Sequence, residues 1–186
     1  NVICHVPNLN NLIESVDLLL SKDGTFIFEE PYLGSMFEKI SYDQIYDEHI
    51  FMFSASSISK IFERYNLYLI DAIPQVTHGG SMRYVIKRKK SDKGKDLYKI
   101  FDYEKNKKLN TIESCMNFKK KCEISKQQII KKIKFFKEKG KSICGYAATA
   151  KSTTVLNYCK IGTNYIDYIC DTTKEKIGKF SPGMHI

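Results

Sequence analysis

No run of apolar residues in this 186-residue chain approaches the roughly 20 that a helix needs to cross a bilayer, so nothing in it reads as a membrane span. There is no initiator methionine, basic leader or signal-peptide pattern: the chain opens Asn1-Val2-Ile3-Cys4-His5. It closes on the turn residues Pro182-Gly183-Met184-His185-Ile186, and reads as an internal fragment of a longer protein. Arginine is scarce as well. Of 30 basic residues only Arg64, Arg83 and Arg88 are arginines, although the net charge is +9. Base-reading and phosphate-reading surfaces enrich arginine for its forked geometry. The lysines instead spread through polar stretches such as 87–108 and 119–141, which favours a solvated lysine-rich surface over a nucleic-acid footprint. The six cysteines form no CxxC pair and no His/Cys zinc spacing, so no metal site is expected in this segment. Most lie in apolar stretches, as in Ile143-Cys144 and Ile169-Cys170, and read as buried reduced thiols of a cytoplasmic protein.

Apolar residues make up 42% of the chain, enough for one large or two small domains. Leu12, Ile13, Val16, Leu19 and Leu20 recur at helical spacing over 10–20. Lys22-Asp23-Gly24 ends that helix, and 25–29 reads as a strand stopped by Pro31 that delivers Glu29, Glu30 and Tyr32 to its C-terminal end. In open α/β sheets that edge is where ligands bind. Serines at 54–57 offer N-caps for a helix over 58–65; strands are expected at 67–73 and, after Gly79-Gly80, at 82–87. This order suggests a parallel sheet finished by an antiparallel edge pair. Residues 87–108 read as a charged loop and about 103–139 as a long helical region stopped by Gly140. In that region Cys115, Phe118, Cys122, Ile129, Ile130, Ile133 and Phe136 form an apolar stripe expected to be core. A strand at 142–144, a small-residue turn, a helix over 153–159 and a strand at 165–170 ending in Asp171 then make a βαβ half-unit. Three regions follow: 1–88, a connector 89–139, and 140–186.

Two clusters carry chemistry. Tyr46-Asp47-Glu48-His49 packs a phenol, two carboxylates and an imidazole into four positions, and His78-Gly79-Gly80-Ser81-Met82-Arg83 sets a histidine and an arginine around a Gly-Gly kink. Such density points to a site, with a satisfied structural cluster as the alternative. Arg83 suits paired phosphate contacts, or equally a salt bridge across strands. The turn after residue 144 is not GxGxxG, having only Gly145, and Lys151-Ser152-Thr153 lacks the glycines of a P-loop. An anion site at the turn amides, or plain strand–helix packing, remains open there.

The segments 1–7, 30–33 (Glu30-Pro31-Tyr32-Leu33), 45–54, 78–85 and 145–151 resemble, in order and spacing, the S-adenosylmethionine-dependent sugar C-methyltransferases. Those enzymes act on nucleotide-linked keto-deoxysugars. The resemblance implies an α/β fold: the C-terminal part of a class I methyltransferase Rossmann-like sheet, a helical connector, and the start of a second Rossmann-like βαβ domain. It also implies that the zinc-binding domain and the glycine-rich S-adenosylmethionine loop belong to regions outside this segment. Carried onto this chain, His49 takes a proton α to a ketone, Glu48 orients it and Tyr46 donates to the developing enolate oxygen. Tyr32, His78, Gly79, Gly80 and Arg83 fall to the sugar nucleotide, and so do Tyr146, Lys151 and Ser152, with the turn amides 148–152 holding its diphosphate. Asp171 sits where a ribose-binding acid belongs, and His5 lies on the cofactor side, where a simply packed histidine is the alternative. The chain departs from the family at Asp47 (commonly His), Met52 (commonly aromatic) and Ala147 (commonly Gly). The first two bear on sugar selectivity and the third on close phosphate approach. A non-methylating nucleotide-binding module and an inactive scaffold are the competing classes.

Overall fold

The computed structural model describes residues 1–90 and 94–186, and these cluster into two units, 1–41 with 47–116 and 42–46 with 117–186. In the first unit a short 3-10 turn (Ile3–His5) precedes helix α1 (Leu9–Leu19), which starts where the Asn8 side chain accepts the Asn11 N–H. Its stripe of Leu9, Leu12, Ile13, Val16 and Leu20 packs onto the core. Leu19, expected in that stripe, is 87% exposed; it stands at the margin of the apolar arc on the helix's last residue. Strand β1 (Thr25–Pro31) alternates, with Ile27 outward and Phe26 and Phe28 stacked toward Phe62. Helix α2 (Leu33–Lys39) follows. Helix α3 (Ala55–Glu63) is started by a capping box between Ser54 and Ser57, and buries Ala55, Ile58, Ser59 and Phe62 at i, i+3, i+4 and i+7.

Strands β2 (Tyr68–Gln75) and β3 (Ser81–Lys87) complete the sheet in the order β1-β3-β2, with β3 antiparallel to both neighbours. The expected arrangement, a parallel sheet ending in an antiparallel pair, is therefore corrected. The last strand inserts between the other two, which run in the same direction without touching. Met82, Tyr84 and Ile86 of this central strand are buried to 1% exposure or less.

The loop reading of 87–108 is also corrected. Gly94 precedes helix α4 (Lys95–Asn106), whose Leu97 is fully buried, with Ile100, Phe101 and Tyr103 packed on the same core. Ser91, Asp92 and Lys93 of that reading lie outside the described residues. The long helical region expected over about 103–139 is the end of α4 and helix α5 (Ile112–Glu138), separated at 107–111, where Lys108 takes φ +52°.

In the second unit, the α5 stripe contributes Phe118 and Cys122 to the interior. Phe136 is 40% exposed and Cys115, at the first unit's end of α5, is exposed, so the stripe is core only in part. Strand β4 (Cys144–Tyr146), helix α6 (Ala150–Cys159) and strand β5 (Tyr168–Cys170) form a parallel βαβ half-unit. Leu156, Cys159, Ile161 and Ile166 are its buried apolar residues. Of the six free cysteines, Cys4, Cys122 and Cys159 are buried, but Cys115, Cys144 and Cys170 are exposed. The period-2 alternation of β4 and β5 turns Cys144 and Cys170 outward while Gly145 and Ile169 face in, which the apolar neighbourhood in sequence concealed.

Candidate active site

At the C-terminal end of β1, two successive glutamates face opposite sides of the strand. Glu29 accepts hydrogen bonds from the Ser81 hydroxyl at 2.5 Å, from the Thr77 hydroxyl, and from Arg83 Nη2 at 3.2 Å. The Ser81 and Thr77 hydroxyls, more than the arginine, hold its carboxyl below the usual range. Glu29 and Arg83 are directly opposed in the register, so Arg83 makes the cross-strand salt bridge and also reaches Gln75 Oε1 at 3.3 Å. Glu30 points inward and is fully buried. Its Oε1 accepts the Val2 and Ile3 N–H groups at 2.9 and 2.6 Å, while Oε2 has no hydrogen-bond partner among the described residues.

The 3-10 turn thus clamped on Glu30 carries Cys4 and His5. The Cys4 carbonyl accepts the N–H groups of Ile50 and Phe51 at 2.9 and 3.3 Å, which draws the segment after His49 onto the turn. His5 and His49 meet edge to face with ring centroids 4.9 Å apart. Cys4 Sγ and one nitrogen from each imidazole all lie within 4.8 Å of one another, Cys4 buried and both histidines half-buried. Burial first, then the neighbouring Glu30 carboxylate, pushes the Cys4 thiol up to about 12. Cys4 was not among the residues the sequence singled out for the site, and Glu30 was noted only as one of the residues at the end of the first strand. The adjacent Cys-His pair lies 44 positions before His49, and no short-range spacing connects them.

The other residues singled out fall in separate places. Glu48 is exposed, and Tyr46 is half-buried in the 42–46 segment, which clusters with the second unit. Tyr32 is only 6% exposed and donates its hydroxyl to Glu104 at 3.0 Å, so it is a core residue that supports the rim of the site. The turn Thr77–Gly79 places His78 on the surface at φ +50°. Lys39 Nζ donates to the Gly79 carbonyl at 2.5 Å. Gly80, at φ +126°, lies so close to Ser35 that a Cβ there would stand 2.5 Å from the serine Cβ.

In the second unit, Tyr146 is 86% exposed at the end of β4. Thr149 caps α6 in a capping box with Ser152, which occupies the N–H groups of Thr149 and Ser152. Asp171 accepts the Ala148 N–H at 2.7 Å and the Thr173 N–H at 2.8 Å, and pairs with Lys176 at 3.5 Å. The Thr173 contacts, then the Ala148 amide, hold its carboxyl well below the ordinary range. Several of the turn amides expected to meet a diphosphate thus have internal partners. Lys151 is half-buried in the first turn of α6, where a basic side chain stands beside the positive end of the helix.

Comparison with known proteins decides the family. Residues 76–186 match the C-methyltransferase C-terminal domain, and residues 1–72 match a methyltransferase domain. The chain belongs to the C-methyltransferase family. It is 28% identical over 184 residues to the C-methyltransferase NovU of Streptomyces niveus, an alignment covering 98% of this chain and 44% of that protein. The C-methyltransferase chain therefore spans less than half the length of the curated relative it matches. Its two lobes, each of sheet and helix, fit a class I Rossmann-like methyltransferase architecture. Among the described residues no helix is long and apolar enough to cross a membrane.

Proposed function

We propose that the protein transfers the methyl group of S-adenosylmethionine to a carbon beside the ketone of a nucleotide-linked keto-deoxysugar, with His49 as the base. The observation that carries this reading is the pairing of His49 with His5 on the Cys4–His5 turn, in a chain of C-methyltransferase family. Carbon methylation needs a carbanion equivalent, and removing a proton α to a ketone supplies one as an enolate. An imidazole nitrogen takes that proton, leaving a nucleophilic enolate carbon for the methyl group that S-adenosylmethionine would supply when bound. Tyr46 donates to the enolate oxygen, and Glu48 supplies negative charge near the imidazolium as it forms. His5 lies toward the methyl donor. His78, Gly79, Gly80 and Arg83 contact the sugar nucleotide from the first unit. In the second unit, taken by itself, Tyr146, Lys151, Ser152 and Asp171 are assigned to sugar-nucleotide binding, with Lys151 toward the diphosphate and Asp171 toward the ribose. Tyr32 supports these contacts from the core.

The test is His49→Ala in the full-length protein. Loss of methyl transfer by a factor of about 10³ or more, with S-adenosylmethionine affinity unchanged, is the expected outcome. Retained turnover removes His49 from the role of base. Solvent deuterium exchange into the sugar, measured without the methyl donor, isolates the proton-abstraction step and should vanish in the same variant.

A further inference from the structure

We propose that Cys4, His5 and His49 form a binding site for a borderline divalent cation of the zinc class. The three ligand atoms already lie within 4.8 Å of one another, with Cys4 buried and the imidazoles half-buried. Tetrahedral Zn²⁺, with Zn–S near 2.3 Å and Zn–N near 2.0–2.1 Å, needs its ligands about 3.3–3.6 Å apart. The widest pair must therefore close by up to about 1.5 Å, which rotations of the two partly exposed imidazoles supply.

The donor set selects the ion. One thiolate and two imidazoles favour Zn²⁺ over the oxygen-seeking Mg²⁺ and Ca²⁺, and three protein ligands leave a fourth position for water or a substrate oxygen. The backbone is arranged for the purpose. Glu30 anchors the turn that holds Cys4 and His5 through the Val2 and Ile3 amides, and the Cys4 carbonyl holds the segment beside His49 through the Ile50 and Phe51 amides. On coordination the metal replaces the thiol proton, which passes to water, and the imidazole lone pair of His49 becomes a metal bond. Resting on the reading of His49 as base, the consequence is that the cation switches methyl transfer off, since a coordinated imidazole has no lone pair left for a substrate proton.

The experiment titrates the chain with Co²⁺ as a spectroscopic stand-in, then displaces it with Zn²⁺. One equivalent should bind, with a thiolate-to-cobalt charge-transfer band that Zn²⁺ abolishes. Cys4→Ser should lose the band, and both Cys4→Ser and His49→Gln should weaken binding by at least about 100-fold. Cys170→Ser, which removes an exposed thiol of the second unit, should bind as the parent does. A band that survives Cys4→Ser or disappears with Cys170→Ser overturns the site, and so does the absence of stoichiometric binding. If Cys4→Ser proves unfolded by circular dichroism, His49→Gln decides alone, because it alters a half-buried ring outside the core. In the full-length protein, Zn²⁺ should inhibit methyl transfer and a chelator should restore it. A confirmed site without inhibition keeps the site and removes the base role of His49.

Discussion

Ala147 sits at φ +70°, in the left-handed region that a Cβ disfavours by roughly 1–2 kcal/mol. Glycine there relieves that strain but adds about 0.4–1 kcal/mol of unfolded-chain entropy. The strain term is the larger, so Ala147→Gly should stabilise the second unit by about 0.5–1 kcal/mol, read as a raised urea midpoint at constant slope. A lowered midpoint would show that the turn is not strained. The departure from glycine at this position was visible in the sequence, and the backbone conformation it has to adopt was not. The same holds for the site. Residue type alone drew notice to His49, His78 and Arg83. Glu29 and Glu30, adjacent and chemically identical, could not be told apart until strand alternation sent one to Ser81 and Arg83 and buried the other beneath the Cys4–His5 turn. Cys4 stayed hidden because its partner His49 lies far off in sequence, where no spacing rule reaches.

Elements show where local signals suffice and where packing overrides them. The start of α3 was legible from its serines, yet its strongest cap comes from elsewhere. Glu104 of α4, only 3% exposed, accepts the Ala55 and Ser56 N–H groups at 2.6 and 2.9 Å and the hydroxyls of Tyr32 and Ser56. Helix α4 was itself obscured, because its lysines and aspartates masked the buried spacing of Leu97, Ile100, Phe101 and Glu104. Glu104→Gln keeps the shape but turns an NH₂ toward groups that donate, and removes the negative charge from the start of α3. A loss of about 2–3 kcal/mol is expected from the weakened charge-assisted hydrogen bonds, measured by denaturant unfolding. In the βαβ half-unit, Asp171 ties the end of β5 to the Ala148 turn, with a carboxyl depressed below its ordinary value of 3.8. A depressed carboxyl stabilises the fold above its unfolded pKa. That contribution is complete above about pH 5 and is lost as pH falls through 3.8 toward the lower folded value. Asp171→Asn should flatten the fall in unfolding midpoint between pH 5 and 2, and an unaltered pH profile would remove Asp171 as its source.

At the scale of the whole molecule, the order β1-β3-β2 leaves two strand edges unpaired by other strands among the described residues. They are not equivalent. β2 carries Pro74 and a register irregularity between Leu69 and Asp71, both of which discourage another strand from pairing. β1 reaches its terminal Pro31 without a bulge and presents Ile27 at 55% exposure. The strands themselves were legible from alternation and turn residues. Their order was not, because the central place of β3, whose Met82, Tyr84 and Ile86 are buried while Arg83 and Lys87 stay exposed, is a property of the assembled sheet. Self-association of the chain should accordingly run through β1, with the +9 charge opposing it at low salt and screening by salt relieving that opposition. Ile27→Lys places a charge on the outward face of the edge strand, where the cost in folding stability should stay within about 0.5 kcal/mol. Sedimentation at increasing concentration and salt should show the parent chain associating and Ile27→Lys remaining monomeric. Equal association of both would move the contact away from β1, and a matching Ile73→Lys on β2, 40% exposed in the parent, would then test the opposite edge.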